Sequence, residues 1–110
     1  MKLPFAYQAL VSETKLTEYL LSEEHPVGRT KARIFRRFGY DREGWSVLAQ
    51  DLCNLAREYE VTLEEQTPFG TRFIIDGILR TPSGRPLPIR TIWFVDNQSR
   101  IPHLVTAYPR

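Results

Sequence analysis

The sequence predicts an α+β domain in which N-terminal helices are followed by a four-stranded antiparallel meander sheet. Two observations carry this expectation. Trp45, Leu48, Ala49, Leu52, Leu55, Ala56 and Tyr59 recur at spacings of three and four, a helical period sustained over four turns, and from Val61 the period falls to two. Turn-forming clusters at 67–70, 81–85 and 97–100 then divide the remainder into four short runs. At 110 residues the chain has the length of one domain, residues 1–110, able to bury a core without disulfides.

In chain order, residues 3–11 form an apolar lead-in with a proline, read as an arm laid against the body. Ser12 or Thr14 caps a first helix running to about Leu21, with Leu16, Tyr19 and Leu20 on its inner face. A second helix spans about Gly28 to Phe38, and Gly39 suits a left-handed terminus. Asp41 is placed to cap the third, with Cys53 on its flank. Val61 and Leu63 open the first strand, and Thr71–Arg80, Leu87–Asp96 and His103–Tyr108 supply the others. Phe73-Ile74-Ile75 and Ile92-Trp93-Phe94-Val95 are apolar on both faces and belong in central strands. Trp93 is read as core, and Asp76-Gly77 as a bulge or bend.

The net charge of +2 is too small to imply a polyanion partner, but its distribution is uneven. From Arg29 to Arg42 six cations face only Asp41; from Glu43 to Glu65 six acids face only Arg57. Arg29, Arg33 and Arg37, at i, i+4 and i+8, would project one basic ridge while Ala32, Ile34, Phe35 and Phe38 face the core. RNA is the first candidate guest, and the other reading is a solvated face paired with acids elsewhere.

The single cysteine gives neither a disulfide framework nor a thiolate metal site. No His/Cys/Asp/Glu spacing reads as a metal centre, so no metal or cofactor is expected. Phosphate-binding glycine loops and Gly-x-Ser-x-Gly elbows are missing. No apolar run approaches the roughly 18 residues that span a bilayer, and Met1–Leu10 lacks the order of a signal peptide. A cytoplasmic protein without a membrane partner is expected.

The remaining chemistry is metal-independent acid–base cleavage of a phosphodiester. That reaction needs a base for the ribose 2′-hydroxyl, donors for the charged transition state and an acid for the leaving oxygen. His25 is a candidate base or acid, with Arg29 and Lys31 as neighbouring cations. A sheet face with Arg90, Thr91, Thr106 and Tyr108 could supply the rest of a catalytic set, and Arg29, Arg33 and Arg37 a substrate track. Each has a duller reading: His25 a turn residue before Pro26, His103 a surface residue, and the Thr and Tyr positions ordinary strand formers.

Lys-Leu-Thr-Glu-Tyr-Leu-Leu (15–21), His-Pro-Val-Gly-Arg-Thr-Lys-Ala-Arg-Ile-Phe (25–35), Phe-Gly-Thr-Arg-Phe (69–73), Arg-Thr-Ile-Trp (90–93) and Pro-His-Leu-Val-Thr-Ala-Tyr-Pro (102–109) together resemble an uncharacterised family of small bacterial proteins, a domain of unknown function. More distantly, helices followed by a four-stranded sheet ending in Leu-Val-Thr-Ala-Tyr resemble the barnase, EndoU, colicin and RelE superfamily of metal-independent ribonucleases, many of them toxins. That resemblance implies an RNA substrate, often tRNA or translating mRNA, and a small inhibitor protein. It carries over to His25, Lys31, Arg90, Thr91, Thr106 and Tyr108, while His103 does not match a second catalytic histidine. The sequence thus points first to a toxin-like endoribonuclease. The alternatives are a non-catalytic RNA- or protein-binding module and the partner protein of a toxin–antitoxin-like pair, presenting the acidic flank Asp51 to Glu65.

Overall fold

A computed structural model describes residues 1–110. A 3₁₀ turn, Ala6–Gln8, opens the chain. Helix α1, Glu13–Lys15, continues directly as a π-helical segment, Leu16–Leu20. Helices α2, Gly28–Arg37, and α3, Trp45–Glu58, precede strands β1, Leu63–Thr67, β2, Gly70–Arg80, β3, Pro86–Asp96, and β4, His103–Pro109. The strands pair as an antiparallel meander in the order β1-β2-β3-β4. This is the architecture expected from the change of period, and no helix is long and apolar enough to cross a membrane.

Local chemistry fixes the boundaries. Ser12 Oγ accepts from the Lys15 N–H at 3.1 Å and starts α1. Gly39, at φ 99°, ends α2 in the left-handed region. Asp41 acts one step earlier than expected: its Oδ1 accepts from Gly44 N–H at 2.6 Å, closing the turn before α3. Strand β1 begins at Leu63, later than its period suggested, because the Val61 N–H is taken by the Met1 carbonyl at 2.7 Å.

The core lies between the helices and one face of the sheet. Leu16, Leu20, Phe35, Leu48 and Leu52 meet Phe73, Ile75, Ile89 and Trp93 there. Strands β2 and β3 are central, which explains why both carry apolar residues on both faces. Gly77 leaves room for the Tyr59 ring, since a Cβ there would stand 2.7 Å from Tyr59 Cδ2. Asp76-Gly77 therefore marks a close packing contact, and the β2–β3 register runs through it unbroken. The irregularity is elsewhere: Trp93 pairs with Leu104 and Ile92 with Thr106, so β4 bulges at Val105.

At the centre, Trp93 Nε1–H donates to Thr91 Oγ1 at 2.8 Å, and that hydroxyl donates to the Ile75 carbonyl at 3.0 Å. Both side chains are fully buried, so water cannot replace either bond. Thr91→Val should therefore lower stability by about 1–3 kcal/mol, the cost of stranding buried polar groups. Urea unfolding checks this, with Thr91→Ser retaining most of the stability.

Candidate functional site

The bulge at Val105 decides what β4 presents. Leu104 and Ala107 face the core, and the unpaired residue between them turns Thr106 to the outer face alongside Tyr108. On that face Asp76, Arg90 and Tyr108 lie in one cross-strand row. Thr91 is the exception among the sequence-predicted residues. It sits one step away on β3, points into the core and is committed to Trp93, so it does not join the others.

Helix α2 reaches the same edge through Lys31. Its ammonium donates to Tyr19 Oη at 2.7 Å and to Thr106 Oγ1 at 3.1 Å, and it lies 5.6 Å from the Tyr108 ring centroid. Tyr19 belongs to the π-helical segment, where the Leu21 N–H bonds the Leu16 carbonyl at 2.7 Å. Leu16 and Leu20 are buried, and Tyr19 packs its ring against the core as predicted, half-buried with its hydroxyl bonded by the Lys31 ammonium. The groove beside it has a volume of about 650 Å³ and is lined by Ser12, Lys15, Glu18, Tyr19, His25, Val105 and Thr106 among others.

His25 is held by its backbone neighbours. Its Nδ1 accepts from the N–H groups of Val27 and Gly28, both at 3.0 Å, closing the turn into α2. In the neutral imidazole this leaves the proton on Nε2. The turn reading of His25 holds, and the same ring packs edge-on against Tyr19, with centroids 4.8 Å apart at 76°. An imidazole in this state offers a donor to the groove and no free basic nitrogen.

Gly28 permits this arrangement. A Cβ there would stand 2.0 Å from the Tyr19 carbonyl oxygen and 3.1 Å from Tyr19 Cδ1, so α2 starts in direct contact with the π-helical segment. Charge then acts on the phenol. Burial alone would raise the Tyr19 pKa, but the hydrogen bond from Lys31, the nearby Thr106 hydroxyl and the charges of Lys31 and Lys15 outweigh it, holding the phenol below its ordinary value of 10.0.

Arg90 lies beside this cluster with its charge already paired. Its Nε and one terminal nitrogen meet the two Asp76 oxygens at 2.7 and 2.9 Å, and Arg110 adds a contact at 3.0 Å. The hydrogen bond from Arg90, then its charge and that of Arg110, hold the Asp76 carboxyl below the usual value of 3.8 despite partial burial. Tyr108 is the cross-strand neighbour of Arg90 on β4.

The basic ridge exists, but on another surface. Arg29, Arg33 and Arg37 are exposed and none pairs with an acid. Arg33 stands about 200° round the helix from Lys31, because each residue advances about 100°. The acidic flank, by contrast, is largely satisfied within the chain: Asp51 accepts from the buried Tyr40 hydroxyl at 2.6 Å, and Glu58, Glu60 and Glu65 contact Arg80, the N-terminus and Arg72. His103 is exposed at the start of β4, where its backbone pairs with Leu10. No group of three or more His, Cys, Asp or Glu side chains is arranged to hold a metal ion.

The structure thus brings together His25, Lys31, Thr106 and Tyr108, sets Arg90 at their margin, and adds Tyr19, which the sequence reading had assigned to the core. Fold and groove define a small α+β domain with a cationic, phenol-lined edge. The chain belongs to the family described as a domain of unknown function (DUF6883), whose model matches residues 2–110. No curated protein matches it in sequence. Its fold is similar to that of a chain in a contact-dependent growth inhibition toxin–immunity protein complex from Klebsiella pneumoniae 342, with a TM-score of 0.74, 18% identity and 96% of each chain covered.

Two substitutions test the site's construction. Gly28→Ala forces a methyl group into the Tyr19 backbone and should cost about 1–3 kcal/mol in thermal unfolding, as overpacking does. The Asp76–Arg90 pair should produce a specific pH dependence. Because the folded carboxyl titrates below 3.8, the pair's contribution is complete above that value and is lost as pH falls through the depressed folded value. Urea titrations between pH 7 and 2.5 should show this acid-induced loss in the wild type and a shallower one in Asp76→Asn.

Proposed function

We propose that this protein is a metal-independent, toxin-like endoribonuclease whose groove between α1, the His25 turn and β4 cleaves RNA by acid–base chemistry. The observation that carries this reading is the meeting of His25, Lys31, Thr106 and Tyr108 with Tyr19 at one sheet edge. These residues come from separate parts of the chain and supply the donors that a charged phosphodiester transition state requires. The Lys31 ammonium and Thr106 hydroxyl can donate to the non-bridging oxygens, and His25 adds its Nε2–H. Tyr108, beside Lys31, offers its ring for a base to stack on. Thr91 has no part in this, and Arg90 stays paired with Asp76.

The likeness to a chain from a toxin–immunity complex supports the toxin-like reading. A small inhibitor protein covering the groove and RNA in the cytoplasm are the partner and setting that follow from it. A specific observation also favours the binding component: Arg29, Arg33 and Arg37 have no acidic partners, whereas the acidic flank is largely occupied by internal contacts. RNA gripped by this ridge without being cleaved is the second reading. The acidic flank as the docking surface of an antitoxin-like partner has less support.

Purified protein incubated with total RNA in EDTA should yield fragments ending in 2′,3′-cyclic phosphate. Lys31→Ala should slow cleavage at least about 100-fold, the scale of losing a transition-state donor. Replacing Arg29, Arg33 and Arg37 together with alanine should weaken RNA binding and flatten its salt dependence by about 0.9 in log–log slope per lost phosphate contact. Bound RNA that stays intact would select the binding module.

A further inference from the structure

We propose that Tyr19 and Lys31 are the proton-transfer couple of this groove, with the phenol oxygen taking the ribose 2′-hydroxyl proton and the ammonium group returning one to the leaving oxygen. The inference rests on the ribonuclease reading above and supplies the base that reading lacks. His25 does not fill that role, since its acceptor nitrogen is occupied by the Val27 and Gly28 N–H groups. Tyr108 meets Lys31 through its ring, 5.6 Å from the centroid, and not through a hydrogen bond to its hydroxyl. Tyr19 remains, 2.7 Å from the Lys31 ammonium.

Several independent features fix Tyr19 in this position. The π-helical segment turns it towards the groove. Gly28 lets α2 begin against its backbone, and the His25 ring holds one side of the phenol. Lys31 stands 4.8 Å and Lys15 5.5 Å from the ring centroid. A tyrosine serving only to fill the core would need none of the charged contacts. The groups that face it are Lys15 from α1, Lys31 from α2, His25 from the connecting turn and Thr106 from β4, and Glu18 is the acid lining the same groove. The lowered pKa of the phenol agrees with this environment.

The step balances without a metal or co-reactant. The Tyr19 phenolate accepts the 2′-hydroxyl proton as that oxygen attacks phosphorus. The bond from phosphorus to the 5′-oxygen breaks, its electron pair leaves with that oxygen, and the oxygen takes a proton from the Lys31 ammonium. Phenol and amine are left adjacent, and transfer of the phenol proton across their hydrogen bond restores phenolate and ammonium. The products are a 2′,3′-cyclic phosphate and a free 5′-hydroxyl.

Two measurements test the couple. In protein labelled with ¹³Cζ-tyrosine and assigned with Tyr19→Phe, the Tyr19 resonance should ionise at lower pH than that of exposed Tyr7, and Lys31→Met should move it upward. In single-turnover cleavage, Tyr19→Phe keeps the ring but should slow the reaction about 100-fold or more and remove the rising limb of the pH profile. Its affinity for a 2′-deoxy oligonucleotide should be unchanged. A Tyr19 that titrates with Tyr7, or a Phe variant that cleaves with wild-type rate and profile, overturns the proposal while leaving the ribonuclease reading intact. A wild-type protein that cleaves no RNA overturns both.

Discussion

The close approach of Gly28 to Tyr19 is the constraint on which the rest of the groove depends. With any side chain at position 28, the start of α2 would have to withdraw from the π-helical segment, because a Cβ falls 2.0 Å from the Tyr19 carbonyl oxygen. Withdrawal would carry Lys31 away from Tyr19 and Thr106, since one rigid turn of helix connects Gly28 to Lys31. It would also break the turn in which His25 Nδ1 receives the Gly28 N–H. One missing methyl group thus couples the imidazole, the phenol and the ammonium. Of the two lysines near Tyr19, it is Lys31, on the helix that Gly28 positions, whose ammonium bonds the phenol oxygen.

A second constraint acts from the sheet. Period two along β4 would place Leu104 and Thr106 on the same face, and the core needs Leu104. The bulge at Val105 resolves the conflict by inserting one residue, so that Leu104 and Ala107 stay buried while Thr106 and Tyr108 turn outward. The arm supports the strand at one end only, through the Leu10–His103 bridge, so the edge beside Thr106 stays open for Lys31 to reach. Packing at the core and exposure at the edge are therefore consequences of the same irregularity.

Much of the fold was legible because its signals are local. The spacing from Trp45 to Tyr59 marks α3, the turn clusters mark the hairpins, and doubly apolar runs identify β2 and β3 as central. Lys31, His25, Thr106 and Tyr108 could be singled out by chemical type, although nothing in the sequence shows how far apart they fold. Thr91 was misplaced because a threonine in a strand reads the same whether it faces a groove or caps a buried indole; the difference lies in Trp93, two residues on, which shares its face and needs an acceptor. Tyr19 was read only as an inner-face residue, which its ring is, because helical spacing shows that packing but not that the hydroxyl meets Lys31. A polar-tipped aromatic four residues after Lys15, just before a helix break, was the available signal.

The ridge on α2 carries a different lesson about surface charge. Helical periodicity correctly gathered Arg29, Arg33 and Arg37 on one face, but the same periodicity sets that face roughly 120–160° round the wheel from Lys31. A flexible polyanion touching both must cross the width of the helix, so the ridge cannot hold the scissile phosphate itself. Under the proposed ribonuclease reading its part would be to raise the local concentration of RNA and retain the strand outside the groove, a contribution that would fall with salt and be indifferent to sequence. The groove works under opposite conditions: its cation is half-buried and held by two hydroxyls, where salt screens less and geometry matters more. The proposed reading would thus divide affinity and proton transfer between opposite faces of one ten-residue helix.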